Sequence, residues 1–322
     1  MPPRKNARSN GDFASSFDRI RTTIEQVIQG KSEQIRLALV CMLAEGHLLI
    51  EDVPGVGKTL LAKSIAKTIG CSAGRIQFTP DLLPTDITGV NVFDQEHGDF
   101  EFRQGAVFAN VVLGDEVNRA SPKTQSALLE AMEERQVTVD GVTHPLPEPF
   151  LVIATQNPVE HEGTYPLPVA QLDRFLMRLS IGYPSASAEI EVLHRHGKHS
   201  ALDEIDAVTN ARTILAMIEA TRQVHVAETL NNYIVELVTA TRETSELALG
   251  ASPRASLALL RASRAFAASE GRDYVIPDDV KALAGAVLAH RLFVAPEAEM
   301  SGRSALDVIE DLVSSVAVPI RG

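Results

Sequence analysis

The chain has 322 residues, 45% apolar and 5% aromatic, with no Trp and a formal charge of −12. That length holds one large domain or two ordinary ones, and the apolar share builds a sizeable aliphatic core. The acidic balance excludes a protein that coats nucleic acid by bulk charge, and no apolar run has the length of a membrane span.

Residues 1–12 are basic and polar with no apolar stretch behind them, so they read as a disordered tail, not a secretory signal. Cys41 and Cys71 are isolated and sit in or beside apolar helical segments. They read as small buried thiols in a reducing compartment, and the expected location is cytoplasmic. Phe17, Ile20, Ile24, Val27 and Ile28 have helical spacing and predict a helix over 13–29, with Gly30 as its C-cap. A second, apolar helix covers 32–44, and residues 47–51 form a strand.

That strand runs into EDVPGVGKT, residues 51–59, and then a helix to about Gly70. Gly55 and Gly57 lack a Cβ, so the backbone can curl and aim its N–H groups at phosphate oxygens. The following helix turns its positive end toward the same oxygens. Lys58 reaches the β- and γ-phosphates, and the Thr59 hydroxyl ligates Mg²⁺. The expected ATP-binding stretch is Asp52, Val53, Pro54, Gly55, Val56, Gly57, Lys58, Thr59 and Leu60. The general motif G-x-x-x-x-G-K-[ST] asks for Gly where this chain has Asp52, so the match is incomplete at its first position.

A short strand follows at 75–78, then TPDLLPTDITG, whose prolines break any long helix. Residues 91–102 alternate around Gly98 as a hairpin, and 109–113 form an apolar strand suited to a parallel sheet covered on both faces. Asp115 and Glu116 end that strand, where ligands sit in open α/β sheets. Asp115 would hold Mg²⁺ through water, and Glu116 would orient and deprotonate the attacking water. A bare acidic pair could simply end a strand; downstream of a phosphate loop the hydrolytic reading prevails.

Ser121-Pro122 opens a helix over 123–134, and EERQ at 133–136 reads as its charged end. A hairpin over 136–145 turns at Asp140-Gly141. The strand 150–154 leads to Asn157, which could touch the γ-phosphate or the water, or be an ordinary turn residue before Pro158. Arg174, just before a last strand at 176–181, could reach a neighbouring subunit's γ-phosphate, or pair with Asp173 on the surface. After residue 185 only helices are expected: 186–197, 210–219, 228–244, 253–269, 277–290 and 305–316. Arg254, in the first turn of one of them, could reach back over the nucleotide or stand in solvent. The histidines of HRHGKH, 194–199, read as a solvated cluster with no completing ligand. The expected division is an α/β domain at 13–183 and a helical domain at 184–322.

The order and content of these motifs resemble AAA+ ATPases of the MoxR group, those with insertions in the second helix and before the fourth strand. The resemblance spans nearly the whole chain from Phe13. It is carried by EDVPGVGKT (51–59), TPDLLPTDITG (79–89), GDEVNRASPKTQSALLEAMEERQVTV (114–139), ATQNPVEHEGTYPLPVAQLDRFLM (154–177) and SPRA (252–255). It implies a five-stranded parallel sheet with a helical lid, hexameric rings, and hydrolysis of ATP with Mg²⁺ held at Thr59 and Asp115. It gives Glu116 the water, Asn157 the role of sensor 1, Arg174 that of arginine finger and Arg254 that of sensor 2. Arg178 competes for the finger role, and Arg119 is a second candidate intersubunit contact. Asp52 resembles a substitution usual in this group. The group also implies a chaperone-like role on protein clients, often with a von Willebrand factor A domain, with the two hairpins touching the client. A nucleic-acid-processing motor is disfavoured by the charge and by the lack of an appended basic domain. A regulatory nucleotide scaffold with little turnover is disfavoured by the intact Asp115-Glu116 pair.

Overall fold

The computed structural model describes residues 7–53, 55–157, 163–195 and 201–318. Pro54, His196 and His199, singled out above, lie outside the described residues. The elements run α1 (Ala7–Glu25), α2 (Ser32–Leu43), β1 (Leu48–Glu51), α3 (Lys58–Thr68), β2 (Ala73–Gln77), α4 (Pro84–Thr88), β3 (Gly89–Asp94), β4 (Asp99–Gln104) and β5 (Val111–Asp115). They continue as α5 (Pro122–Glu134), β6 (Gln136–Val139), β7 (Val142–Pro145), β8 (Leu151–Gln156), α6 (Val169–Leu172), β9 (Met177–Leu179) and α7 (Ala186–Arg195). The last part holds α8 (Ala211–Arg222), α9 (Glu228–Glu243), β10 (Leu247–Leu249), α10 (Pro253–Ser269), α11 (Pro277–Leu288), β11 (Phe293–Val294), α12 (Pro296–Met300) and α13 (Ala305–Ser315).

Five strands form one parallel sheet in the order β2-β5-β8-β1-β9, as expected. The three central strands are apolar along both faces because helices cover both. On one face Leu48, Ile50, Val111, Leu113, Leu151 and Ile153 share a single buried cluster with α1, α2, α3 and the helices after Gly182. On the other, Leu49, Val112 and Val152 pack on Leu128, Met132 and Phe150. The alternation is the two-residue period of the strand. The helical part is therefore continuous with one face of the sheet, and its angle to the sheet is set by packing.

Two sequence expectations are corrected here. The first helix starts at Ala7, inside the segment read as a tail. Residues 7–12 are ARSNGD, with no large apolar side chain, so the sequence carried no helical period there. The C-terminal part is also not all helical: β10 and β11 pair antiparallel. Strands of three and two residues are too short to show a period.

Both expected hairpins form, β3 with β4 and β6 with β7. They are joined to each other by Asn91 Nδ2 donating to Asp140 Oδ2 at 2.7 Å and by the stacked rings of Phe102 and His144, centroids 3.8 Å apart. Phe93 and Phe100 meet edge to face on the β3–β4 hairpin and are 51% and 66% exposed.

His47, which leads into β1, is buried, and burial lowers its pKa to about 3. Its Nδ1 accepts from the Val152 N–H, so Nε2 carries the proton and donates to the Met132 carbonyl, each at 3.0 Å. Burial raises the Cys41 thiol to about 12 and also raises Cys71, which suits packing and not reactivity. Among the described residues no helix is long and apolar enough to cross a membrane.

Candidate active site

The strand register sets the site. Ile50 aligns with Thr155, Glu51 with Gln156, and Gly114 with Ala154. Asp52, Asp115, Glu116 and Asn157 therefore leave the sheet at the same C-terminal edge. Gly55 (φ 86°) and Gly57 (φ 94°) are both left-handed, with no atom within 4 Å of where a Cβ would stand. The loop is thus an open concavity that side chains would strain and partly fill. Gly57 caps the 11-residue α3 without a side-chain bond, which leaves the first helical N–H groups for an anion. Lys58 is buried, and its Nζ donates to the Asp52 carbonyl at 3.0 Å across the loop. These features fit a nucleotide's phosphates. Thr59 at the start of α3 and Asp115 at the end of β5 supply a hydroxyl and a carboxylate, hard oxygen donors that suit Mg²⁺.

Asp52 does not face this concavity. It is 8% exposed, and its Oδ2 accepts from the N–H groups of Ile181 (2.7 Å) and Gly182 (2.6 Å) and from the Ser180 hydroxyl (3.1 Å). Oδ1 accepts from its neighbour Val53 N–H at 2.9 Å. Asp52 belongs to the expected ATP-binding stretch, and its carboxylate ties the phosphate loop to the chain leaving β9. Restoring the general motif with Asp52→Gly should therefore harm the protein. Three donors, of which the Ile181 N–H is buried, lose a charged acceptor, which destabilises by about 2 kcal/mol and weakens nucleotide binding. Urea midpoints and titration with a fluorescent ATP analogue check this; unchanged stability would contradict it.

At the acidic pair, Thr155 acts as a hinge pin. Its hydroxyl donates to Asp115 Oδ1 at 2.7 Å and accepts from the Glu116 N–H at 2.9 Å. Glu116 is held at φ 60°, a left-handed setting that strains a residue with a Cβ. Its Oε2 accepts from Gln77 Nε2 at 3.1 Å and lies 3.5 Å from Arg119 Nε. Arg75 Nη2 donates to Gln77 Oε1 at 2.6 Å and to Asp115 Oδ2 at 2.8 Å. Arg119, a candidate intersubunit contact by sequence, thus lies beside Glu116 of its own subunit. Sequence reasoning missed Arg75, Gln77 and Thr155. The first two share a face of β2, and Gln77 aligns with Asp115 only through the sheet register, which the sequence does not give. Asn157 is 4% exposed and follows Gln156, whose carbonyl accepts from the Asp52 N–H at 3.2 Å.

The two remaining arginines lie elsewhere. Arg174 precedes β9, and Arg254 is in the first turn of α10. Arg174 Nη1 is 3.0 Å from Glu133 Oε2 and donates to the Leu129 carbonyl at 2.9 Å. Arg254 Nη2 donates to Glu133 Oε1 at 2.7 Å. Both line a cavity of about 260 Å³ with Gly46, His47 and Leu176, the residues that lead into β1 and β9. Lys58 lies past the other end of β1, a strand about 13 Å long. The sequence leaves Arg254 over the nucleotide or in solvent; the lid docks α10 over the end of the sheet opposite Lys58, where Arg254 pairs with Glu133. Ser252 Oγ donates to Asp173 Oδ2 at 2.8 Å and Arg291 Nε to Asp173 Oδ1 at 2.7 Å, which fixes that docking. Arg178, the competitor for the finger role, binds Glu51 Oε2 at 2.8 Å, at the phosphate-loop end.

A parallel sheet that presents a phosphate loop and an acidic pair at one edge defines a P-loop nucleotide-binding ATPase fold. The model of the ATPase family associated with various cellular activities matches residues 47–177, and the AAA lid domain model matches 239–312. The chain is 49% identical to the uncharacterized protein YeaC of Bacillus subtilis, over 92% of this chain and 93% of that one. It is 44% identical to the chaperone MoxR1 of Mycobacterium tuberculosis, over 94% and 82%. A chain from Cytophaga hutchinsonii solved as a candidate ATPase superimposes with a TM-score of 0.91 at 40% identity, covering 97% and 98% of the two chains. The protein belongs to the MoxR family of AAA+ ATPases.

Proposed function

We propose that this chain hydrolyses ATP with Mg²⁺ as a ring of subunits, expected to be hexameric, and uses the cycle to remodel or activate partner proteins in the cytoplasm. One observation supports the reading: the two groups of residues we assign to a hydrolytic site stand at opposite ends of one sheet. Lys58, Asp115, Glu116 and Asn157 occupy the C-terminal edge; Arg174 and Arg254 stand together near the N-terminal edge. Such halves complement each other between subunits, not within one.

In this reading Lys58 exchanges the Asp52 carbonyl for β- and γ-phosphate oxygens, and the N–H groups of the loop and of α3 bind the rest. Thr59 and Asp115 would hold Mg²⁺, which would supply charge neutralisation of the phosphates when bound. Glu116 takes the proton of the attacking water, and Asn157 orients that water or the γ-phosphate. Arg174 of the next subunit neutralises charge in the transition state, and Arg254 of the same neighbour acts beside it. The chaperone name of a relative supports a protein client; a von Willebrand factor A domain is the client type the family resemblance implies. The exposed Phe93 and Phe100 on the β3–β4 hairpin are the apolar surface we assign to it. No nucleic-acid partner is expected from the charge of −12. The test is phosphate release by the purified chain. Release should stop with EDTA and rise more steeply than linearly with subunit concentration. Linear dependence, or activity without divalent metal, would contradict the reading.

A further inference from the structure

Arg174 and Arg254 come from different parts of the chain, one from the sheet and one from the lid, yet both oxygens of a single carboxylate hold them. Glu133 sits near the end of α5, and by sequence it was only part of a charged helix end. The other cations of this cavity have partners of their own. Arg135 pairs with Glu45, Arg291 is buried against Asp173, and Arg261 donates to the Ala44 and Glu45 carbonyls at the end of α2. Arg174 and Arg254 share one anion, as Arg135 shares Glu45 with Arg222, and they are the pair here that brings sheet and lid together on one carboxylate, so this spot keeps an excess positive charge. The contacts to Glu133 use Nη1 of Arg174 and Nη2 of Arg254. An arginine has five N–H donors in a planar fork, so the rest of each fork can meet a second anion.

We propose that Glu133 is the positioning residue of this arginine pair: it holds sheet and lid arginines at one spacing, ready for the terminal phosphate of the nucleotide on a neighbouring subunit. Without it the two guanidinium groups repel each other, and Arg254, the more exposed of the two, has no fixed place. Glu133 also links the pair to catalysis on its own subunit. It lies on the helix that follows Glu116 by one short turn, so nucleotide-driven movement at Glu116 is transmitted along α5 to the pair that serves the neighbour. The inference rests on the ring reading above.

The test compares full-length Glu133→Ala, Glu133→Gln, Arg174→Ala and Arg254→Ala in ATP turnover at saturating subunit concentration. Glu133→Ala should lose at least tenfold in turnover, with Glu133→Gln between it and the wild type, because the amide keeps one acceptor. Binding of a fluorescent ATP analogue should stay within twofold, since each variant keeps its own phosphate loop; this also reports correct folding. Adding Glu133→Ala to Arg174→Ala should cost little more, as expected for residues that act as a unit. Mixing Glu133→Ala with Lys58→Ala subunits should recover turnover, which a merely structural role would not allow. Normal turnover in Glu133→Ala beside a crippled Arg174→Ala overturns this inference alone. Full turnover in Arg174→Ala removes the ring reading, and this inference with it.

Discussion

Arg174→Ala is expected to lower ATP turnover by about a thousandfold while leaving nucleotide affinity unchanged. An arginine that neutralises the transferring phosphoryl group acts in the transition state, so its loss falls on kcat and not on binding. The placement gives the same sign. Arg174 stands before β9, at the end of the sheet away from Lys58, and is held there by Glu133 and the Leu129 carbonyl. Truncation leaves Glu133 paired with Arg254, so the fold keeps a partner for the carboxylate and the loss should not be one of stability. Steady-state phosphate release together with nucleotide titration separates the two effects. Weaker nucleotide binding with unchanged kcat would contradict the assignment.

Glu116→Gln should lower turnover by roughly a hundredfold or more and leave a subunit that binds ATP and stays in the bound state. The amide keeps the size of the side chain and cannot accept the proton of the water. Geometry argues that the position is built for this residue. Glu116 is held at φ 60° by Thr155, which pins its N–H, and such strain persists only where the surroundings impose it. Its carboxylate rests against Gln77 and Arg119 and has to leave or share these contacts to meet a water. Single-turnover phosphate release measures the chemical step directly. Gel filtration with ATP should show the variant in its largest assembly. Release at the wild-type rate would remove Glu116 as the base.

Much of this site can be read from the sequence, because its parts are local. The glycines, Lys58 and Thr59 lie within five residues of one another, and runs such as 111–114 and 151–154 have no polar side chain, as strands covered on both faces must be. What could not be read depends on contacts distant in the chain. Asp52 looked like a flaw in a phosphate motif, and its partners Ser180, Ile181 and Gly182 lie some 130 positions on. Gln77 and Arg75 sit on β2, an edge strand whose side chains are mostly exposed, so no apolar pattern drew attention to them. The position of Arg254 could not be read because the direction of α10 is decided by the docking of Ser252 and Arg291 on Asp173. Glu133 looked like one more surface acid until two arginines from separate parts of the fold met on it.

The separation of the two half-sites across one sheet is most directly tested by mixing Lys58→Ala subunits with Arg174→Ala subunits, each inactive alone. In the mixture, an intact phosphate loop from one variant can meet an intact Arg174 from the other. The account predicts that turnover appears on mixing and passes through a maximum as the ratio is varied. No turnover at any ratio, with both variants still binding into common assemblies, would contradict it.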